Sequence, residues 1–176
     1  HQGVICFASP VTYHDLETLV PVLFEKGEEP KFIILDGITD VRNFGAIART
    51  AECLGYNGVI IPAKGGATVT SDAIKTSAGA LMTLPVCRVT SLKSALDFLV
   101  NSGIKLVACT EKTDDSIYDF DYSGPVGIVM GNEETGISND LINRVQYIGK
   151  IPMTGAIKSM NVAVAAGIVM YESVRK

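Results

Sequence analysis

Five short runs of apolar, largely β-branched residues punctuate the chain, at 31–35, 58–62, 104–109, 126–130 and 146–151. Runs of this length suit strands covered on both faces, which lose the alternation of polar and apolar positions that a half-exposed strand keeps. Between them the apolar positions recur with helical spacing, most clearly over 44–54, 71–78, 92–100, 139–144 and a long terminal stretch at 158–174. Strands alternating with helices predict an α/β fold, a mostly parallel sheet with helices on both faces. In such sheets ligands bind beyond the carboxyl ends of the strands. The segments at 36–49, 131–138 and 151–161 are therefore where chemistry is expected.

Composition narrows the class. With 176 residues, 47% of them apolar and 19% charged, the chain can bury one sizeable core, and nothing repeated or low in complexity divides it. Its first residue is His1, with no basic-then-apolar leader, and its most apolar stretch at 162–170 is far short of the roughly 18 residues of a membrane span. A soluble cytoplasmic protein is expected. Cys6, Cys53, Cys87 and Cys109 lack metal-ligand spacing and sit in apolar surroundings, so they read as buried, reduced thiols, and no metal site is expected. The net charge of -4 and pI near 5.1 exclude a protein basic all over. Any affinity for nucleic acid must come from a local basic cluster or from another domain.

Three segments carry candidate chemistry. In the first, Asn43 suits a helix N-cap, Gly45 permits close approach of another segment or a ligand, and Arg49 lies among Ala46, Ile47, Ala48 and Ala51, where an unpaired charge is costly. A surface ion pair is the ordinary fate of such an arginine. In the second, the apolar strand ends with Met130 at Gly131, followed by Glu133, Glu134 and Gly136. Glycines there allow tight backbone around a planar ligand, although a plain strand-to-helix turn uses them too. The spacing is not the glycine fingerprint of dinucleotide-binding folds, so a nicotinamide cofactor has little support. In the third, Pro152 and Gly155 stiffen a loop that leads through Ser159 and Asn161 into a helix of Val, Ala, Gly and Ile. Such a helix is ordinarily core, but polar groups at its mouth can hold the polar end of a ligand.

Taken together and in order, the three segments resemble the motifs of the SpoU (TrmH-type) family of SPOUT RNA 2'-O-ribose methyltransferases. Asn43, Gly45 and Arg49 match its Asn-x-Gly-x-x-x-Arg motif, Gly131, Glu133 and Gly136 its Gly-x-Glu-x-x-Gly, and Ile151-Pro152-Met153 with Ser159-Met160-Asn161-Val162 its Ile-Pro-Met and Ser-Leu-Asn-Val. Val41 stands where many members carry Pro, and Met160 where most carry Leu. His1-Gln2-Gly3-Val4 also resembles the start of the catalytic domain in two-domain members, whose small RNA-binding domain comes first. The resemblance implies that residues 1–176 are a catalytic domain with a C-terminal trefoil knot, acting as a homodimer on RNA with S-adenosylmethionine as cofactor. It implies that Met130, Gly131, Ile151, Met153 and Met160 line the cofactor, and that Arg49, Asn43, Glu133, Ser159 and Asn161 form the catalytic group.

Methyl transfer requires a ribose hydroxyl oriented in line with the methylsulfonium and helped to lose its proton. An arginine serving as free base must give up a proton held to above pH 12, at a cost on the order of 7 kcal/mol near neutrality. A charged Arg49 that holds a phosphate or stabilises the ionising hydroxyl is the preferred expectation, and a general-base role stays open. The resemblance is closest to members that methylate a guanosine of large-subunit ribosomal RNA, which implies that target before transfer RNA. A non-catalytic RNA-binding or dimerisation domain of the same fold is the alternative of a different class.

Overall fold

The computed structural model describes residues 3–5 and 9–175. Cys6, His1 and Gln2 lie outside them. Helix α1 (Leu16–Glu25) leads into strand β1 (Lys31–Asp36) and helix α2 (Val41–Cys53). Strand β2 (Gly58–Pro62), helix α3 (Ser71–Thr76), a 3-10 turn and strand β3 (Val86–Val89) follow. Helix α4 (Leu92–Asn101), strand β4 (Lys105–Cys109), strand β5 (Val126–Gly131), helix α5 (Asn139–Ile142), strand β6 (Tyr147–Gly149) and helix α6 (Val162–Val174) complete the chain.

The six strands form one sheet in the order β3-β2-β1-β5-β4-β6, every pair parallel. Both faces are covered, as the uninterrupted apolar runs require. Alternation along β1 sends Ile33 and Leu35 into one core, with Phe44, Ile47, Ala48 and Ala51 of α2 and Ala166, Val169 and Met170 of α6. Phe32 and Ile34 enter the other, with Leu16, Val20 and Leu23 of α1 and Leu96 and Leu99 of α4. The neighbours β1 and β5 are followed by helices on opposite faces, α2 in the first core and Leu141 of α5 in the second. Their carboxyl ends thus flank a topological switch point, where an open parallel sheet leaves a crevice.

Several boundaries differ from the expectation. The four-residue strand β3 is unannounced in the sequence, because it is an edge strand with Arg88 exposed, and α1 carries Pro21 within it. Helix α2 begins one turn early, so Asp40 caps it by accepting from the Arg42 amide at 2.8 Å, and Asn43 is not the N-cap. Helix α6 starts at Val162 instead of 158, since Asn161 accepts from the Ala163 and Val164 amides (2.9 and 3.2 Å). Not all thiols are buried: Cys53 is exposed at the end of α2. Burial does push the Cys87 and Cys109 thiols up to about 12, which keeps both neutral.

Gly45 belongs to packing. A Cβ there would lie 2.7 Å from Cβ of Thr76 and 3.0 Å from the Ser77 amide, so only glycine lets α2 and α3 meet. At Gly167 in α6 the same atom would find only the Thr50 methyl at 3.7 Å. Gly45→Ala should therefore cost about 1–3 kcal/mol through overpacking, whereas Gly167→Ala should be neutral or stabilise by up to about 1 kcal/mol through helix propensity. Urea unfolding of the two variants measures the difference.

Candidate active site at the carboxyl edge of the sheet

The carboxyl ends of β4, β5 and β6 open into one cleft, bounded by the three loops that leave those strands. Loops 131–138 and 151–161 stand side by side across it, with residues 109–112 as a third wall. Its apolar surface comes from Met130, Ile151, Met153, Met160, Val162 and Ala165. All five residues expected to line a cofactor, Met130, Gly131, Ile151, Met153 and Met160, are among its walls.

The β5 loop is closed on itself. The Asn132 carbonyl accepts from the Gly136 amide at 2.8 Å, and the Asn132 side-chain oxygen accepts from the Glu134 and Thr135 amides at 2.8 and 3.2 Å. Gly136 takes a φ of 71°, which favours glycine, and a Cβ on Gly131 would lie 2.6 Å from the Gly136 carbonyl oxygen. Both motif glycines thus serve the fold-back of this loop, which presents Glu133 at the mouth of the cleft.

A hydrogen-bond relay connects the three segments. The Asn161 amide group donates to the Asn43 side-chain oxygen at 3.0 Å, and the Asn43 amide group donates to Oε1 of Glu133. Since the Asn161 oxygen is occupied in capping α6, its nitrogen must face Asn43, and the orientation of both amides follows. Ser159 lines the cleft with Glu133. Four of the five expected catalytic residues converge in this way.

The fifth, Arg49, does not. It is exposed and lines no wall of the cleft, and among the described residues no carboxylate pairs with it. The expectation of a costly charge in apolar surroundings fails on helical geometry. Phe44, Ile47, Ala48 and Ala51 form the buried stripe, and Arg49 lies off it, facing solvent. The residues that sequence reasoning missed are Thr110, Glu111, Lys112 and Lys150 in the walls, and Asp36, whose carboxylate accepts from the Ser138 amide at 2.7 Å. Strand-end position was the signal available for them. Lys112, Lys150 and Lys158 in the cleft are matched by Glu111, Glu133 and Glu134, so its charge is balanced and not a basic patch.

With this geometry in view, similarity to known proteins decides the family. The profile of the SpoU rRNA Methylase family matches residues 30–171. The chain belongs to that family. It is 37% identical over 179 aligned residues to the 23S rRNA (guanosine-2'-O-)-methyltransferase RlmB of Photobacterium profundum, covering all of this chain and 71% of that one. The RlmB of Pseudomonas putida is 36% identical with the same coverage. Among solved structures, the SpoU methyltransferase AviRb from Streptomyces viridochromogenes, in complex with AdoMet, superposes with a TM-score of 0.77 at 33% identity. That match covers 84% of this chain and 60% of the AviRb chain, so this SpoU chain spans less than two thirds of its structural relative. The parallel α/β fold of this SpoU chain is therefore the fold of its family.

The relay makes a checkable statement about α6. Asn161→Ala removes the cap and should destabilise the protein by about 1 kcal/mol, whereas Asn161→Asp keeps an oxygen for the two amides and should cost less than about half of that. Denaturant unfolding of both variants tests whether the cap or the bond to Asn43 matters more to stability.

Proposed function

We propose that this chain transfers a methyl group from S-adenosylmethionine to a ribose 2'-hydroxyl of RNA. The observation that carries this reading is the single cleft built by loops 131–138 and 151–161, the two segments to which the family motifs assign cofactor binding. Its residues suit that amphipathic molecule: Met130, Ile151, Met153 and Met160 offer soft apolar contact, while backbone around Gly131 and the side chains of Thr110, Lys112 and Ser159 offer polar groups at the rim. Bound there, the cofactor supplies a methyl group activated by a positively charged sulfur.

The chain's own residues must then orient the hydroxyl and assist its proton. Asn43 holds Glu133 through Oε1, and among the described residues no hydrogen bond engages Oε2, which is free to accept from a ribose hydroxyl at the cleft mouth. Ser159 stands in the same wall and can donate to or accept from the sugar. Neutral Cys109, in the third wall of the cleft, is no competing nucleophile. Exposed Arg49 acts as a charged group that takes hold of an RNA phosphate, bidentately if its planar fork is used. A large-subunit ribosomal guanosine is the preferred target, because two similar relatives are named for that reaction. A transfer-RNA target is the second reading, favoured by 28% identity to the A. aeolicus TrmH/SpoU tRNA modifying enzyme. The reading places the chain in the cytoplasm, and the reaction as read needs no metal.

The same reading includes a homodimer and the family's C-terminal knot. Helix α6 leaves Val164 (55% exposed) and Tyr171 (58%) facing outward beside α2, an apolar stripe that a second copy would cover. Sedimentation at micromolar concentration should give a dimer, and a monomer throughout would contradict it.

Calorimetry with S-adenosylmethionine and with a nicotinamide dinucleotide should give binding of the first alone. Arg49→Ala should leave that affinity nearly unchanged, because Arg49 lines no part of the cleft, yet lower methyl transfer to RNA by roughly 10²-fold, typical of losing a positioned electrostatic group. Arg49→Lys separates its roles: near-normal turnover means a point charge, and a loss like that of Ala means bidentate geometry or proton transfer. Full activity in both variants would remove Arg49 from the catalytic group, and cofactor binding without turnover on any RNA would favour a binding module.

A further inference from the structure

The turn that ends β1 grips the cofactor loop at both of its ends. At the loop's start, the Asn132 amide group donates to the Gly37 carbonyl at 2.8 Å. At its end, Oδ2 of Asp36 accepts from the Ser138 amide at 2.7 Å. Asp36 and Gly131 are register partners in the sheet, so the two pins lie at the level where β5 gives way to the loop. Gly37 takes a φ of 73°, and a Cβ there would approach Cβ of Asn132 to 3.6 Å. Between the pins the loop is closed by the Asn132 hydrogen bonds already described, and it carries Gly131, Glu133 and Gly136 in the cleft wall. Asp36 itself lines no part of the cleft.

We propose that Asp36, with Asn132 as its counterpart, is the positioning residue of the cofactor loop, holding through the Ser138 amide the backbone that receives the cofactor. This deepens the methyltransferase reading and rests on it. A loop fastened at one end only samples more conformations, and binding must then offset the cost of ordering it. A carboxylate suits this pin because a charged acceptor makes the stronger bond to a backbone amide. The amide oxygen of asparagine can make the same bond less strongly.

The test compares wild type, Asp36→Ala and Asp36→Asn by calorimetric titration with S-adenosylmethionine, with kcat and KM for methyl transfer measured alongside. Asp36→Ala should raise the Kd for S-adenosylmethionine roughly tenfold, with kcat at saturating cofactor falling less than KM rises, while Asp36→Asn should stay within about threefold of wild type. A purely structural role would lower stability without that split and without rescue by Asn. Should Asp36→Ala fail to fold, Asn132→Asp serves in its place. It keeps the oxygen that the Glu134 and Thr135 amides use but loses the donor to Gly37, and its Kd should rise likewise. Variants that fold and bind as wild type does would overturn the proposal alone. A wild-type chain with no affinity for the cofactor would overturn the reading beneath it as well.

Discussion

Every strand of the sheet runs in the same direction, and this constraint decides where chemistry can happen. Parallel strands need crossover connections, the helices in those crossovers cover both faces, and the loops that leave the carboxyl ends of the strands gather along one edge. Segments as distant in sequence as Asn43, Glu133 and Asn161 meet there because each follows the carboxyl end of a strand, not because any local preference draws them together. The cleft opens at the carboxyl ends of the neighbours β5, β4 and β6, and the loops that leave those three strands build its walls.

On that frame the polar groups at the edge are held by one another. Asn161 spends its oxygen on the first free amides of α6 and its nitrogen on Asn43, which in turn holds Glu133. The glycines of the second motif serve fold-back of the loop and leave its backbone bare to the cleft. A residue type that sequence reading assigns to ligand contact is thus also explained by backbone geometry alone.

How much of this was legible in the sequence depended on the kind of signal. Runs such as 31–35 and 126–130 were plain because strands buried on both faces show no alternation to confuse. Strand β3 was hidden because four residues with Arg88 exposed carry too little pattern, and α1 because Pro21 sits inside it. Asn43 looked like a cap, yet Asp40, three residues earlier, caps α2 and frees Asn43 to reach Glu133. Arg49 misled in the opposite way: apolar neighbours in sequence suggested a buried charge, but at 3.6 residues per turn they belong to another face of the helix. Nothing local could announce the bond from Ser138 to Asp36, whose partners are 102 residues apart. The residues that line the cleft were largely legible through the family motifs, and their meeting in one place followed from strand order.

The central claim is that loops 131–138 and 151–161 together receive S-adenosylmethionine. A crystal structure of the chain grown with that compound tests it most directly. The account predicts density for the bound cofactor between these loops, in contact with the backbone at Gly131 and with Ile151 and Met160, and with the methyl-bearing sulfur facing Glu133. Density for it anywhere else on the molecule, or a clear cleft in crystals grown at saturating concentration, would contradict the account.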